Sequence, residues 1–296
     1  MMRRMKSIDT SILRIAYEDW NPDAERTAVL LHGWPDSPRT WAAVAPELAA
    51  QGWRVIVPAL RGFAPTRFLQ PETPRSGQLS ALGRDVLELI AALGLEQPAL
   101  VGHDWGARAA ANACALQQGV ASHLVLLSVA YGTNLPSQNL SLEQARHYWY
   151  HWYMATPRGQ AAVREQRKDF AKVMWDTWSP PGWYTPEEFE ATAQAFANDD
   201  WPEVTLHSYQ HRWGHAPGDS RYAADEQALA QVVPLAVPTL VLHGGADGVN
   251  APQTSEGRER YFLGRYERKV LPGAGHFPQR EQAQQVAAEL IRFLGE

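Results

Sequence analysis

Few residues of this chain stand where they could do chemistry, and the foremost of them is a carboxylate. Val101-Gly102-His103-Asp104-Trp105-Gly106-Ala107 follows an apolar run and opens an Ala-rich, helix-like stretch. Glycines two places either side of a central residue mark a nucleophile elbow. This strand-to-helix turn is so tight that its flanks take small residues, while the central side chain stands exposed above the sheet. The start of the following helix adds free N–H groups and a positive dipole end, which stabilise an anion. The usual central residue is serine; here it is Asp104, and no Gly-x-Ser-x-Gly occurs anywhere in the chain. A carboxylate needs no base to activate it and attacks carbon directly, giving an ester. That suits opening an epoxide or displacing a halide. The competing reading is an Asp that only caps the helix, and the five-residue pattern alone does not separate the two.

Three further motifs favour the nucleophile. His32-Gly33-Trp34-Pro35 ends an earlier apolar run. A backbone N–H at such a place can pair with the N–H after the nucleophile in an oxyanion hole, so Trp34 and Trp105 are the expected donors. Leu242-His243-Gly244-Gly245-Ala246-Asp247 sets an acid, Asp247, just past a late strand. Gly273-Ala274-Gly275-His276-Phe277 sets a histidine, His276, in a Gly-rich loop after the final strand. The order nucleophile, acid, histidine is the one this arrangement requires.

The elements that must position these residues alternate along the chain. Val- and Leu-rich runs at Thr27–Leu31, Arg54–Pro58, Pro98–Val101, Leu124–Leu127, Thr239–Leu242 and Lys269–Leu271 predict strands buried on both faces. Amphipathic stretches at Ser80–Leu95, Arg108–Gln118 and Glu281–Leu294 predict helices between and after them. Such alternation implies a mostly parallel sheet covered by helices. From about Tyr131 to Val233 the strand signal stops. Ser141 to Gln144 and Thr185 to Glu188, the latter with Pro186 at the first helical position, read as capping boxes, and Asp200 before Trp201-Pro202-Glu203 as another helix start. The expected organisation is a core over 1–131, a helical cap domain over 132–233, and the rest of the core over 234–296.

Taken together, these motifs resemble the aspartate-nucleophile branch of the α/β-hydrolase superfamily, which includes epoxide hydrolases, haloalkane dehalogenases and fluoroacetate dehalogenases. The resemblance covers nearly the whole chain and implies the α/β-hydrolase fold, a mostly parallel central sheet flanked by helices with an inserted helical cap. It also implies two cap tyrosines that hydrogen-bond an epoxide oxygen. His151-Trp152-Tyr153 looks like the segment carrying the first, with Tyr153 the candidate and Tyr148 and Tyr150 its rivals. His207-Ser208-Tyr209 looks like the segment carrying the second, Tyr209. Haloalkane dehalogenases typically have Asn where Trp34 stands. Fluoroacetate dehalogenases typically have Arg where Trp105 stands, although Arg108 matches a second arginine of their motif and His151-Trp152 resembles their halide pocket. The expected activity is that of an epoxide hydrolase working through an Asp104 ester, which a water activated by His276 and Asp247 hydrolyses. Trp34, Trp105, His151 and Trp152 are expected at the substrate. Haloacetate or haloalkane dehalogenation is the runner-up, and a non-catalytic binding protein of the same fold a more distant alternative.

Bulk properties narrow the field. The formal net charge of -5 over 296 residues argues against nucleic acid or anionic membranes as partners. A single cysteine, Cys114, forbids an internal disulfide and points to a reducing, cytoplasmic setting. Met1 to Thr10 lacks the apolar stretch of a secretory signal. No metal and no cofactor are expected: His207, His211 and His215 share helical spacing, but Gly214 should end that helix first. His103 is expected to be structural, and Arg61 and Arg221 have no assignable role. The partners expected are a small epoxide and water, with the chain a monomer or a homodimer. Twelve tryptophans, many between Trp149 and Trp213, foretell an aromatic cap core, an aromatic-walled pocket, or both.

Overall fold

The apolar runs pair into one nine-stranded sheet in the computed structural model, which describes residues 5–133 and 139–296. The strands are β1 (Lys6–Asp9), β2 (Leu13–Trp20), β3 (Arg26–Leu31), β4 (Trp53–Pro58), β5 (Arg67–Phe68), β6 (Ala99–His103), β7 (Leu124–Leu127), β8 (Thr239–Gly244) and β9 (Tyr266–Leu271). Their order is β1-β2-β4-β3-β6-β7-β8-β9, with β5 paired to β2. From β4 to β9 every pairing is parallel, as the buried runs require. The antiparallel edge of β1, β2 and β5 has no counterpart in the sequence reading. Its strands mix charged with apolar residues and so lack the continuous apolar signature. The far edge, β9, begins three residues before the predicted run, because an edge strand keeps charges such as Glu267 and Arg268 at its partly exposed positions.

Successive side chains of the central strands feed two cores. Leu100, Leu124 and Leu126 face one side of the sheet; Val101, Val125 and Leu127 face the other. The second side is closed by α1 (Ala45–Ala50) and, at the chain's end, by a long helix carrying Val286, Leu290 and Phe293. The first side is closed by α2 (Leu79–Ala92) and α3 (Trp105–Leu116), and this core runs on without a break into the aromatic residues of the insertion.

Between β7 and β8 the described residues form helices and no strand of the sheet: α4 (Leu142–His147), α5 (Trp149–Met154), α6 (Pro157–Glu165), α7 (Arg167–Thr177), α8 (Pro186–Ala193), α9 (Trp201–Arg212) and α10 (Ala223–Leu229). The Ser141 and Thr185 hydroxyls accept from the Gln144 and Glu188 N–H groups, as the capping boxes predict. Asp200 precedes α9, but its carboxylate is spent on Arg75 rather than on the helix N-terminus. After β9 follow α11 (Pro278–Glu281) and α12 (Ala283–Leu294).

Buried polar contacts fasten the insertion to the sheet. Arg280 of α11 pairs with Asp36 after β3 at 2.6 Å and with Glu188 of α8 at 2.7 Å. The Trp175 indole donates to the Pro35 carbonyl at 2.8 Å. Arg61, read as a loop charge without a role, is instead fully buried. It joins Asp85 of α2 to the Tyr222 hydroxyl at the start of α10. Spacing could not reveal this, since its partners lie 24 and 161 residues away.

Candidate active site

The turn at Asp104 is as tight as its glycines imply. Asp104 sits at φ 49°, between the end of β6 and the start of α3. A Cβ on Gly102 would lie 2.2 Å from the Gly106 carbonyl oxygen, and one on Gly106 would lie 2.3 Å from that of Leu31. Neither position can carry a side chain without moving backbone. The strain of the left-handed Asp104 backbone is held by this packing, which lifts the carboxylate clear of the sheet.

Three loops at the C-terminal ends of the strands then converge. Asp104 Oδ1 accepts the Trp34 backbone N–H at 2.9 Å. Its Oδ2 lies 3.7 Å from His276 Nε2, while His276 Nδ1 donates to Asp247 Oδ2 at 2.9 Å. Asp247 is oriented in turn by the Val249 and Asn250 N–H groups on its other oxygen. The backbone N–H of His276 is shared between the Trp178 carbonyl and the Ser179 hydroxyl, so an element of the insertion sets the histidine's position. Of the two expected oxyanion donors, the Trp34 N–H bonds the carboxylate; the Trp105 N–H opens α3 and makes no bond to it among the described residues.

An aromatic wall stands over Asp104. The Trp34 ring is fully buried and stacks on Tyr150 and Trp201, with its indole N–H on Thr205 at 3.0 Å. The Trp105 indole donates to the Tyr209 hydroxyl at 3.1 Å. Tyr209 also meets Tyr150, ring centroids 5.3 Å apart. Tyr153, the first candidate for the other tyrosine, is directed elsewhere: it packs on Trp149 and Phe170 and is only partly buried. Tyr150, not Tyr153, is the tyrosine of this segment that meets Tyr209. Three residues along a helix amount to about 4.5 Å of axial rise, enough to carry a ring from one neighbourhood to another, and motif likeness does not resolve that offset. His151 joins the same aromatic cluster. It lies within 4.6 Å of Tyr209 and accepts the Trp213 indole N–H on Nδ1, so its hydrogen resides on Nε2, which is buried without a partner. Trp152 is not brought in; its indole donates to the Ala145 carbonyl and its ring packs on Trp213.

A family model for the alpha/beta hydrolase fold matches residues 29–283. The chain belongs to the alpha/beta hydrolase fold family. Among curated relatives, epoxide hydrolase A of Mycobacterium tuberculosis is 26% identical, over 97% of this chain and 96% of its own. An epoxide hydrolase of Neurospora crassa is 25% identical, over 86% and 82%. A crystal structure of a protein provisionally assigned as an epoxide hydrolase, from Klebsiella pneumoniae, is 38% identical. It superposes with a TM-score of 0.93 over 98% of this chain and 96% of that one.

The electrostatics of this alpha/beta hydrolase follow from the convergence. Burial alone would raise the Asp104 pKa, but the His276 ring facing it at 3.7 Å and the charge of that ring outweigh it and hold the carboxylate at about 2. Asp247 is likewise kept well below the usual range against its burial, by His276 and His243. Burial works to deprotonate His276, yet the two flanking carboxylates, Asp247 foremost, raise it to about 10. Burial and the nearby Asp104 charge push Tyr209 well up, and burial and Tyr209 do the same to Tyr150, so both hydroxyls keep their protons. His103 is set aside from the chemistry: its Nε2 contacts the His276 carbonyl oxygen at 2.7 Å, and burial holds its pKa near 4. Among the described residues no three His, Cys, Asp or Glu side chains converge as metal ligands would. Helix α9 ends at Arg212, before His215. No helix among the described residues is long and apolar enough to cross a membrane.

Proposed function

We propose that the protein is an epoxide hydrolase in which Asp104, Asp247 and His276 form the catalytic triad and Tyr150 and Tyr209 bind the ring oxygen. The observation that carries the reading is an aspartate at the elbow facing a His–Asp pair, beneath two buried tyrosines that stay protonated. Asp104 attacks an epoxide carbon, the C–O bond breaks, and the alkoxide takes a proton from a tyrosine. The nucleophile is then a neutral ester. Its negative charge no longer supports the proton on His276, which is released to replace the one the tyrosine gave. Neutral His276, held by Asp247, now serves as the base. It takes a proton from water, and the hydroxide attacks the ester carbonyl. The Trp34 N–H stabilises the tetrahedral anion, with the Trp105 N–H as the second donor. The ester C–O bond breaks, the diol leaves with one proton of the water, and Asp104 and protonated His276 are restored.

Residues 132–233 serve as the cap domain in this reading, the substrate is a small epoxide, and the setting is cytoplasmic. Displacement of a halide by Asp104 is the second reading. His151 beside Tyr209 favours it, but the Trp152 N–H that would complete a halide pocket is committed to Ala145.

The test is a trap. With styrene oxide the native enzyme should form diol, Asp104→Ala should form none, and His276→Gln should accumulate one substrate mass on the peptide that carries Asp104. Diol formation surviving in Asp104→Ala, or halide release from a bromoalkane with no diol from any epoxide, would overturn the proposal.

A further inference from the structure

Three kinds of contact converge on Tyr209. Its hydroxyl accepts the Trp105 indole N–H at 3.1 Å. Its ring meets those of Tyr150 and His151, centroids 5.3 and 4.6 Å away. The third contact is a cation: the Arg212 guanidinium lies 4.8 Å over the Tyr209 ring. Both residues belong to α9, three positions apart and so on one face of the helix. Arg212 is buried and forms no ion pair among the described residues. Its hydrogen bonding is slight: one contact with the Ser208 hydroxyl at 3.5 Å, and an Nε that is buried without a partner. By contrast, Arg61 and Arg280 sit against carboxylates at 2.5 and 2.6 Å. A buried cation held this loosely costs stability. The C-terminal end of α9 and the face of Tyr209 supply the offset.

A cation beside a phenol ring favours the phenolate over the phenol. At rest the Tyr209 proton is held on, by burial first and then by the Asp104 charge, against the pull of Arg212 and the Trp105 indole N–H. Ring opening changes this balance. Once Asp104 is an ester its charge is gone, and the ring faces Arg212, the indole N–H, and neutral Tyr150 and His151. Burial keeps His151 neutral, with Arg212 and Arg108 adding to the effect. Arg108 of α3 also carries charge nearby but makes no contact with the Tyr209 ring among the described residues. Tyr150 has no indole donor on its hydroxyl and no guanidinium over its ring among those residues. The two tyrosines are therefore not equivalent as acids.

We propose that Tyr209 is the tyrosine that gives up its proton, and that Arg212 is its positioning residue, a cation set over the ring to stabilise the phenolate left behind. This rests on the reading of Asp104 as an epoxide-opening nucleophile. A carboxylate oxygen of Asp104 bonds to the ring carbon as the C–O bond of the epoxide breaks. The Tyr209 O–H bond then breaks; its proton passes to the alkoxide and its electron pair stays on the phenolate oxygen. The proton released by His276 restores the phenol, so Arg212 exchanges no proton at any step. Tyr150 keeps its own proton and hydrogen-bonds the same epoxide oxygen.

The experiment is single-turnover quench with styrene oxide in a His276→Gln background, read as mass gained on the peptide that carries Asp104. Arg212→Met and Arg212→Gln should each slow ring opening by about 3- to 30-fold, the range of a desolvated cation–ring contact. The half-saturating epoxide concentration should not move. Arg212→Lys, which keeps the charge, should recover much of the loss. Coupling is the deciding readout: in Tyr209→Phe, which has no proton to give, the same Arg212 substitutions should change the rate by less than about twofold. Equal slowing in the Tyr209 and Tyr209→Phe enzymes, or slowing through the half-saturating concentration alone, would make Arg212 a packing or binding residue and overturn the proposal. Neutral variants that fail to fold would overturn it too, by assigning the charge to stability. No adduct with Arg212 and Tyr209 both in place would overturn the Asp104 reading and the arginine's role with it. Adduct formed at one rate with and without the Arg212 charge would overturn the arginine's role alone.

Discussion

Removing single hydroxyls from the cap distinguishes the tyrosine pair that the structure brings together from the one that motif likeness favours. Tyr150 and Tyr209 face each other over Asp104, while Tyr153 packs between Trp149 and Phe170. A hydrogen bond to a group that gains charge is worth about 1.5–3 kcal/mol, and each 1.36 kcal/mol in the barrier is tenfold in rate. Tyr150→Phe and Tyr209→Phe should therefore each slow ester formation by about 10- to 100-fold. The double variant should slow it by more than either. Tyr153→Phe should stay within about twofold, the effect of a surface-type change. Tyr209→Phe has a second consequence: the buried Trp105 indole N–H loses its acceptor, which should cost about 1–3 kcal/mol of folding stability. The assay is single-turnover quench in a His276→Gln background, where Asp104 is alkylated but the ester persists, so ring opening is read directly as mass gained. Equilibrium unfolding in urea runs alongside. A Tyr153→Phe loss as large as that of Tyr150→Phe, or an undiminished rate in Tyr150→Phe, would refute the geometric assignment.

Two further outcomes follow from buried charge. Arg280→Met leaves Asp36 without its partner in the interior; it should cost about 3–5 kcal/mol in urea unfolding, part of it recovered in Asp36→Asn/Arg280→Met, and a loss under about 1 kcal/mol would show the strap to be dispensable. Stability should also peak near pH 6.5. His32, His103 and His151 are buried with pKa values depressed below 6.5, so the stability they contribute is present above that value and lost as pH falls towards 4. His276 has the opposite sign: its raised pKa contributes stability below 6.5 that is lost as pH climbs towards about 10. Each such group changes stability by up to about 1.4 kcal/mol per pH unit. Asp104 and Asp247, both depressed, act only below 3.8. Urea midpoints across pH should show both limbs, with the alkaline one flattened in His276→Gln; a flat profile from 6.5 to 4.5 would contradict the acid limb.

Sequence alone was enough to place Asp104, Asp247 and His276 just after β6, β8 and β9. The elbow glycines and the apolar runs are local requirements, and a parallel sheet puts all such ends on one side. The helical nature of the insertion was legible for the same reason, because caps at Ser141 and Thr185 are satisfied within four residues. Tertiary structure decided what depends on partners distant in the chain. It decided that Tyr150 rather than Tyr153 meets Tyr209, since that turns on the angle at which α5 crosses α9. It decided that Trp152 spends its N–H inside the insertion, and that Arg61 is a buried strut. It also set Arg108 and Arg212, 104 positions apart, on the wall of one cavity. A spacing rule does not see the cavity, because it is a property of how helices pack rather than of any segment within them.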